Sequence, residues 1–192
     1  MSTTTPLRER PYRVIFADDD ADTLAMLEMM GRRKGWHVDT ATSAEELLAK
    51  VEIAFAPKIG RTVDGYDIVV TDVSFFNGAT PGISGIAAAR QLERAYPNLP
   101  ILFLSGYGGL LTRENVRSLK SASYPENYME KPVDPDNLIE RIDYLIRFTA
   151  SRYEGVERRR TSINRSGLHR RSTDVNLGVP RILRLVMNQK GA

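Results

Sequence analysis

Residues 66–72 read Tyr66-Asp67-Ile68-Val69-Val70-Thr71-Asp72. The run 67–71 is apolar and β-branched without polar alternation, which suits a strand buried on both faces. It ends on a carboxylate that a packing account of the strand does not require. Working outward, other segments repeat the pattern. Residues 12–17 form a short β-rich run ending in Asp18, Asp19 and Asp20. Residues 36–40 make a second strand. Residues 100–104 run into Ser105 and Gly106, and 127–130 into Lys131 and Pro132.

Helical spacing fills the gaps. Leu24, Leu27 and Met30, with Met26 and Met29 beside them, predict a helix that stops near Gly35. Ser43 with Glu46 three residues on predicts an N-cap for a helix carrying Leu47, Leu48 and Val51. A glycine-rich loop over 77–85 precedes a helix with Ile86, Ala89, Leu92 and Tyr96, closed by Pro97. A weaker helix is predicted around 113–120. The last spans 136–148, with Leu138, Ile142, Leu145 and Ile146 on one face. The Met26, Met29 and Met30 cluster reads as core rather than binding surface. Trp36 reads as a packing residue and His37 as a surface one.

Five β–α units predict an α/β fold: a parallel sheet with helices on both faces, doubly wound because crossovers are right-handed. In such sheets the ligand site lies beyond the carboxyl ends of the strands. The chemically able residues stand there: Asp18, Asp19 and Asp20, then Asp72, then Ser105, then Lys131. An Asp-rich loop before a helix is often only a cap, and a lone Ser105 would more often be an ordinary loop hydroxyl. Together they suit phosphoryl transfer to a carboxylate. Clustered acids repel unless a hard cation such as Mg²⁺ joins them, a carboxylate is a competent nucleophile, and a lysine with a hydroxyl can hold phosphoryl oxygens.

Composition bounds the rest. Of 192 residues, 42% are hydrophobic and 27% charged, as in an ordinary globular protein. The absence of cysteine excludes disulfides and thiolate metal sites. Two histidines, His37 and His169, are too few for a histidine-rich metal centre. The first residues lack a secretory pattern, and no apolar run approaches the roughly 18 residues of a membrane span. A soluble, cytoplasmic protein is expected. Charge is uneven: residues 1–150 carry 17 Lys and Arg against 21 Asp and Glu, a net of −4, while 151–192 carry 10 against 3, a net of +7.

The ordered motifs Phe16-Ala17-Asp18-Asp19-Asp20, 66–72, Leu102-Phe103-Leu104-Ser105-Gly106 and Tyr128-Met129-Glu130-Lys131-Pro132 resemble those of response-regulator receiver domains, the CheY-like family. The resemblance covers roughly residues 12–148. It implies a flavodoxin-like five-stranded sheet of order 2-1-3-4-5. Asp72 would be the phosphoacceptor, charged by a sensor histidine kinase or phosphotransfer protein. Asp18, Asp19, Asp72 and the backbone carbonyl of Ser74 would hold Mg²⁺. Ser105 would be the switch hydroxyl, Lys131 the conformational lysine, and Tyr128 the aromatic that changes rotamer. Pro132 stands where the family has a cis peptide bond, and Asp20 would cap the helix. Self-phosphorylation and autodephosphorylation would serve signalling, not metabolism, and a phosphorylation-dependent homodimer is compatible with this role.

One departure stands out. The loop 74–84, with Phe75 and Phe76 beside the acceptor, is about five residues longer than the family pattern. It is either a tolerated insertion or an altered lid that slows phosphate loss or contacts a partner. A haloacid-dehalogenase-type phosphatase is the rival from another class. It needs D-x-D-x-[TV], and both registers fail, placing Asp22 or Leu24 at the last position. A receiver-like module that acts without phosphorylation is the other alternative.

Residues 1–11 read as an N-terminal arm and 149–192 as a basic tail. In the tail, Arg158-Arg159-Arg160 and His169-Arg170-Arg171 lie in a polar stretch with little periodicity, read as a linker. Ile182, Leu183, Leu185 and Val186 could add a helical turn or two after Pro180. Such a tail suits docking on a partner or on the receiver, or weak, sequence-independent contact with nucleic acid.

Overall fold

The computed structural model describes residues 10–57, 65–75, 84–106 and 127–165, with side chains to Ser151. The elements are β1 (Arg13–Ala17), α1 (Ala21–Arg33), β2 (His37–Ala41), α2 (Ala44–Phe55), β3 (Ile68–Asp72), α3 (Gly85–Ala95), β4 (Ile101–Ser105), β5 (Tyr128–Glu130) and α4 (Pro135–Arg165). The five strands form one parallel sheet of order β2-β1-β3-β4-β5. This is the doubly wound, flavodoxin-like α/β fold. The chain divides into two units, Met1–Ala150 and Ser151–Ala192, and the sheet belongs to the first.

Period-two alternation sorts each strand between two cores. Ile15, Ala17, Val69, Ile101 and Phe103 pack with Leu47 and Val51 of α2 and with Ala88, Ala89 and Leu92 of α3. Val14, Phe16, Ile68, Val70, Leu102 and Leu104 meet Leu24, Leu27 and Met30 of α1 and Leu138, Ile142, Leu145 and Ile146 of α4. Both faces are therefore dry, which is why β1, β3 and β4 read as unbroken apolar runs. Each fully buried Leu or Ile contributes about 1.5–3 kcal/mol. Truncating Ile142 to Ala would cost roughly 2–5 kcal/mol.

The helices start where their caps place them. Asp20 caps α1, its carboxylate accepting from the Asp22 amide, and Ser43 caps α2 by accepting from the Glu46 amide. Glu46 reaches back to the amide and hydroxyl of Thr42 at 2.7 and 2.9 Å. Hydrogen bonds from Lys50 and Thr42 hold its carboxyl down at about 2. Ser84 caps α3 through the Ala87 amide.

Three expectations are corrected. Met26 and Met29 are 39% and 56% exposed, and only Met30 joins the core. At 3.6 residues per turn, positions 24, 27 and 30 share the inner face while 26 and 29 turn outward. The last helix does not stop at residue 148 but continues to Arg165. No proline interrupts that stretch, and its Arg and Glu residues are good helix formers, so helix persists where the apolar period fades. Asp72 and Ser105 are the last residues of β3 and β4 rather than the first of the loops. The helix expected at 113–120 and the apolar segment 182–186 lie outside the described residues.

Candidate functional site

The carboxyl ends of β1, β3, β4 and β5 bring the acids and the lysine together. Carboxylate oxygens of Asp18, Asp19 and Asp72 lie within 4.8 Å of one another. Asp18 is 1% exposed. Its Oδ1 accepts from the Asp20 amide at 3.1 Å, and its own amide donates to the Ala41 carbonyl at 3.1 Å. Lys131 Nζ donates to Asp18 Oδ2 at 2.5 Å and stands 3.6 Å from Asp72 Oδ1. The lysine therefore pairs first with the buried Asp18 and only then with Asp72. Its backbone amide donates to the Ser105 carbonyl at 2.7 Å, and the Lys131–Pro132 peptide is cis.

Asp72 lies mostly buried, its side chain 13% exposed. Its Oδ1 accepts from the Val73 amide at 2.9 Å. Burial drives its carboxyl up to about 6; Lys131 pulls it down, while the Asp18 and Asp19 carboxylates push it further up. Burial works to lower the Lys131 ammonium, but the Asp18 hydrogen bond and the charges of Asp72 and Asp18 raise it on balance. The Asp20 carboxylate is bonded within its own turn. It accepts from Thr23 Oγ1 at 2.9 Å as well as from the Asp22 amide, and these bonds lower its carboxyl.

The other expected residues are placed as follows. Ser74 is exposed, two residues beyond Asp72. Ser105 is buried at the end of β4. Tyr128 opens β5, half-buried against the α2/α3 core. Phe75 packs against that same core, whereas Phe76 and residues 77–83 lie outside the described residues.

Sequence reasoning missed Gly85. A Cβ there would sit 1.8 Å from the Asp72 carbonyl oxygen and 3.2 Å from Thr71 Oγ1. The start of α3 thus presses directly on the Asp72 backbone, and only glycine leaves room. The one available signal was the Ser84-Gly85 pair, cap and helix start, immediately before the helical period.

A doubly wound sheet with clustered acids and a lysine at its carboxyl ends defines a phosphoacceptor-type signalling module. The description "Response regulator receiver domain" matches residues 14–143, and the chain belongs to that family. It is a two-component signalling module and not an enzyme in the metabolic sense, with the acidic cluster typical of a phosphorylation site. The cell cycle transcriptional regulator CtrA of Caulobacter vibrioides is 29% identical over 144 residues, covering 75% of this chain and 54% of that protein. CtrA of Brucella ovis matches to the same extent. The chain thus spans about half the length of the curated relatives it matches. A CheY-like receiver from Methanospirillum hungatei superposes with a TM-score of 0.58 at 20% identity, over 74% of this chain and 99% of that one. CheY in the CheX–CheY–BeF3–Mg²⁺ complex of Borrelia burgdorferi gives 0.55 at 21%, over 69% and 87%. Among the described residues no helix is long and apolar enough to cross a membrane.

Proposed function

We propose that Asp72 accepts a phosphoryl group from the phosphohistidine of a sensor kinase or phosphotransfer protein, and that the acyl phosphate changes partner binding through Ser105 and Tyr128. The observation that carries this reading is the convergence of three carboxylates and a lysine within one small, mostly buried cluster.

The donor set fits Mg²⁺. It is all oxygen, anionic, and strained by like charge, which a hard cation relieves. Asp18, Asp19, Asp72 and the Ser74 carbonyl would hold the ion. Bound there, it would neutralise charge on the phosphoryl oxygens. The CheY relative was crystallised with Mg²⁺ and BeF3, in keeping with this assignment.

The chain's own residues do the remaining work. A carboxylate oxygen of Asp72 attacks phosphorus as the bond to the donor nitrogen breaks. The Val73 amide, 2.9 Å from Asp72 Oδ1, fixes the carboxylate's orientation. Lys131 is already 3.6 Å from Asp72 and would turn from Asp18 toward phosphoryl oxygens. Ser105, whose carbonyl holds the Lys131 amide, would supply the hydroxyl that reads the phosphate. Drawing it inward frees room into which Tyr128 can rotate.

Incubation with acetyl phosphate and Mg²⁺, followed by intact mass measurement, tests the reading. One phosphoryl adduct is expected, lost in Asp72→Ala and lost when the metal is chelated. No adduct under conditions that charge an ordinary receiver would favour a module that acts by contact alone.

A further inference from the structure

At the amino end of the sheet, away from the acids, the sequence Gly31-Arg32-Arg33-Lys34-Gly35-Trp36-His37 joins α1 to β2. The turn is rigid by construction. Gly35 adopts φ +76°, a left-handed conformation that glycine takes at little cost. Its amide donates to the Arg32 carbonyl at 3.0 Å, and the Trp36 amide donates to the Gly31 carbonyl at 3.1 Å. These two bonds make a Schellman motif. Gly31 completes it, because a Cβ there would meet Val38 Cγ2 at 2.7 Å and Trp36 Cε3 at 3.4 Å.

An open cleft of about 430 Å³ lies beside the turn, lined by Arg13, Arg32, Trp36, His37, Val38 and Asp39. Within it, Arg13 is held by Asp39 at 3.6 Å and lies over the Tyr66 ring at 5.1 Å. Trp36 is half-buried, tilted against Tyr12 with ring centroids 6.1 Å apart. Arg32 pairs with Glu28 but stays 65% exposed. Arg33, Lys34 and His37 are exposed and pair with no acid among the described residues. Cations in the last helical turn favour the helix dipole. That accounts for Arg32 and Arg33, but not for Lys34 beyond the helix or for an indole opening onto a cleft.

We propose that this turn and its cleft bind single-stranded nucleic acid, with Arg32, Arg33 and Lys34 on successive phosphates and a base against Trp36. Contiguous cations beside an aromatic platform are the recognition chemistry of single strands. An acidic peptide would use the charges but leave the indole without a planar partner, and a free nucleotide would engage one cation rather than three. The site uses no residue of the basic tail and is independent of Asp72 chemistry.

Trp36 is the one tryptophan in the chain, so its fluorescence reports this cleft alone. Titrating the full chain with oligothymidylate should quench it. Three phosphates imply a salt slope of about −2, hence a roughly 20-fold loss of affinity between about 50 and 200 mM salt. The triple variant R32A/R33A/K34A should bind at least tenfold more weakly by the Trp36 signal, and Lys34→Glu alone should weaken it measurably. Asp72→Ala should quench like the parent. Equal quenching in the triple variant would overturn the proposal. So would labelled oligonucleotide binding by anisotropy with no change at Trp36, which would put the contact on the tail. Quenching by polyglutamate in place of the oligonucleotide would overturn it in favour of an acidic protein partner, and quenching by thymidine monophosphate at equal affinity in favour of a free nucleotide.

Discussion

The two ends of this sheet are built from the same strands and carry opposite chemistry. At the carboxyl end, Asp18, Asp19 and Asp72 crowd together with one lysine, and burial with like charge drives the Asp72 carboxyl up to about 6. At the amino end, ionic groups mostly settle one another: Arg10 with Asp67, Arg13 with Asp39, Arg32 with Glu28. The carboxyl end is electrostatically unfinished, and on the proposed function it gains from a cation and a phosphoryl group. The amino end is satisfied apart from its exposed basic turn. A glycine sits at each end for a different reason. Gly85 is needed for space, Gly35 for its backbone angle.

That difference can be broken at either glycine, and the carboxyl end should suffer more. Gly85→Ala forces a Cβ into the Asp72 carbonyl and should cost about 3 kcal/mol or more in urea unfolding, with loss of the phosphoryl adduct. Lys131→Ala comes next. It strips the nearest cation from a buried Asp18 and should cost about 3 kcal/mol in chelator, partly recovered with Mg²⁺. Asp72→Asn has the opposite sign. Removing one of three crowded carboxylates should stabilise the metal-free protein by about 1–2 kcal/mol, and saturating Mg²⁺ should erase the gain.

Gly35→Ala meets no neighbour and pays only for its left-handed backbone, about 1 kcal/mol in the same assay. The smallest effect is at the α2 cap. Glu46 has a folded carboxyl depressed from 4.5 to about 2. Its contribution is therefore complete above pH 4.5 and lost as pH falls toward about 2. The side chain is 37% exposed, so solvent screening keeps the gain below about 1 kcal/mol. Melting temperatures of the parent and Glu46→Gln should differ above pH 4.5 and converge toward pH 2.

Much of this architecture was legible because a doubly wound sheet is dry on both sides. Buried parallel strands leave unbroken runs such as 67–71, and polar residues at their ends stand out. The acids, Ser105 and Lys131 were visible for that reason. Other features depend on information that residue type does not carry. Met26, Met29 and Met30 are chemically alike, and only helical phase separates the buried one from the exposed two. The continuation of α4 past residue 148 was hidden because its signal is propensity and not an apolar stripe. Gly85 read only as the end of a glycine-rich loop, whereas its role is a close approach between the start of α3 and the end of β3. The pairing of Lys131 with Asp18 ahead of Asp72 is a matter of ångströms set by tertiary packing.

On the proposed function Asp72, and no other acid of the cluster, receives the phosphoryl group. Hydroxylamine converts an acyl phosphate into a hydroxamate on the residue that carried it, and tandem mass spectrometry locates that residue. After charging with acetyl phosphate and Mg²⁺, the hydroxamate should map to Asp72, with Asp18 and Asp19 unmodified. A hydroxamate on Asp18 or Asp19, or a phosphoryl adduct that leaves none at Asp72, would contradict the account.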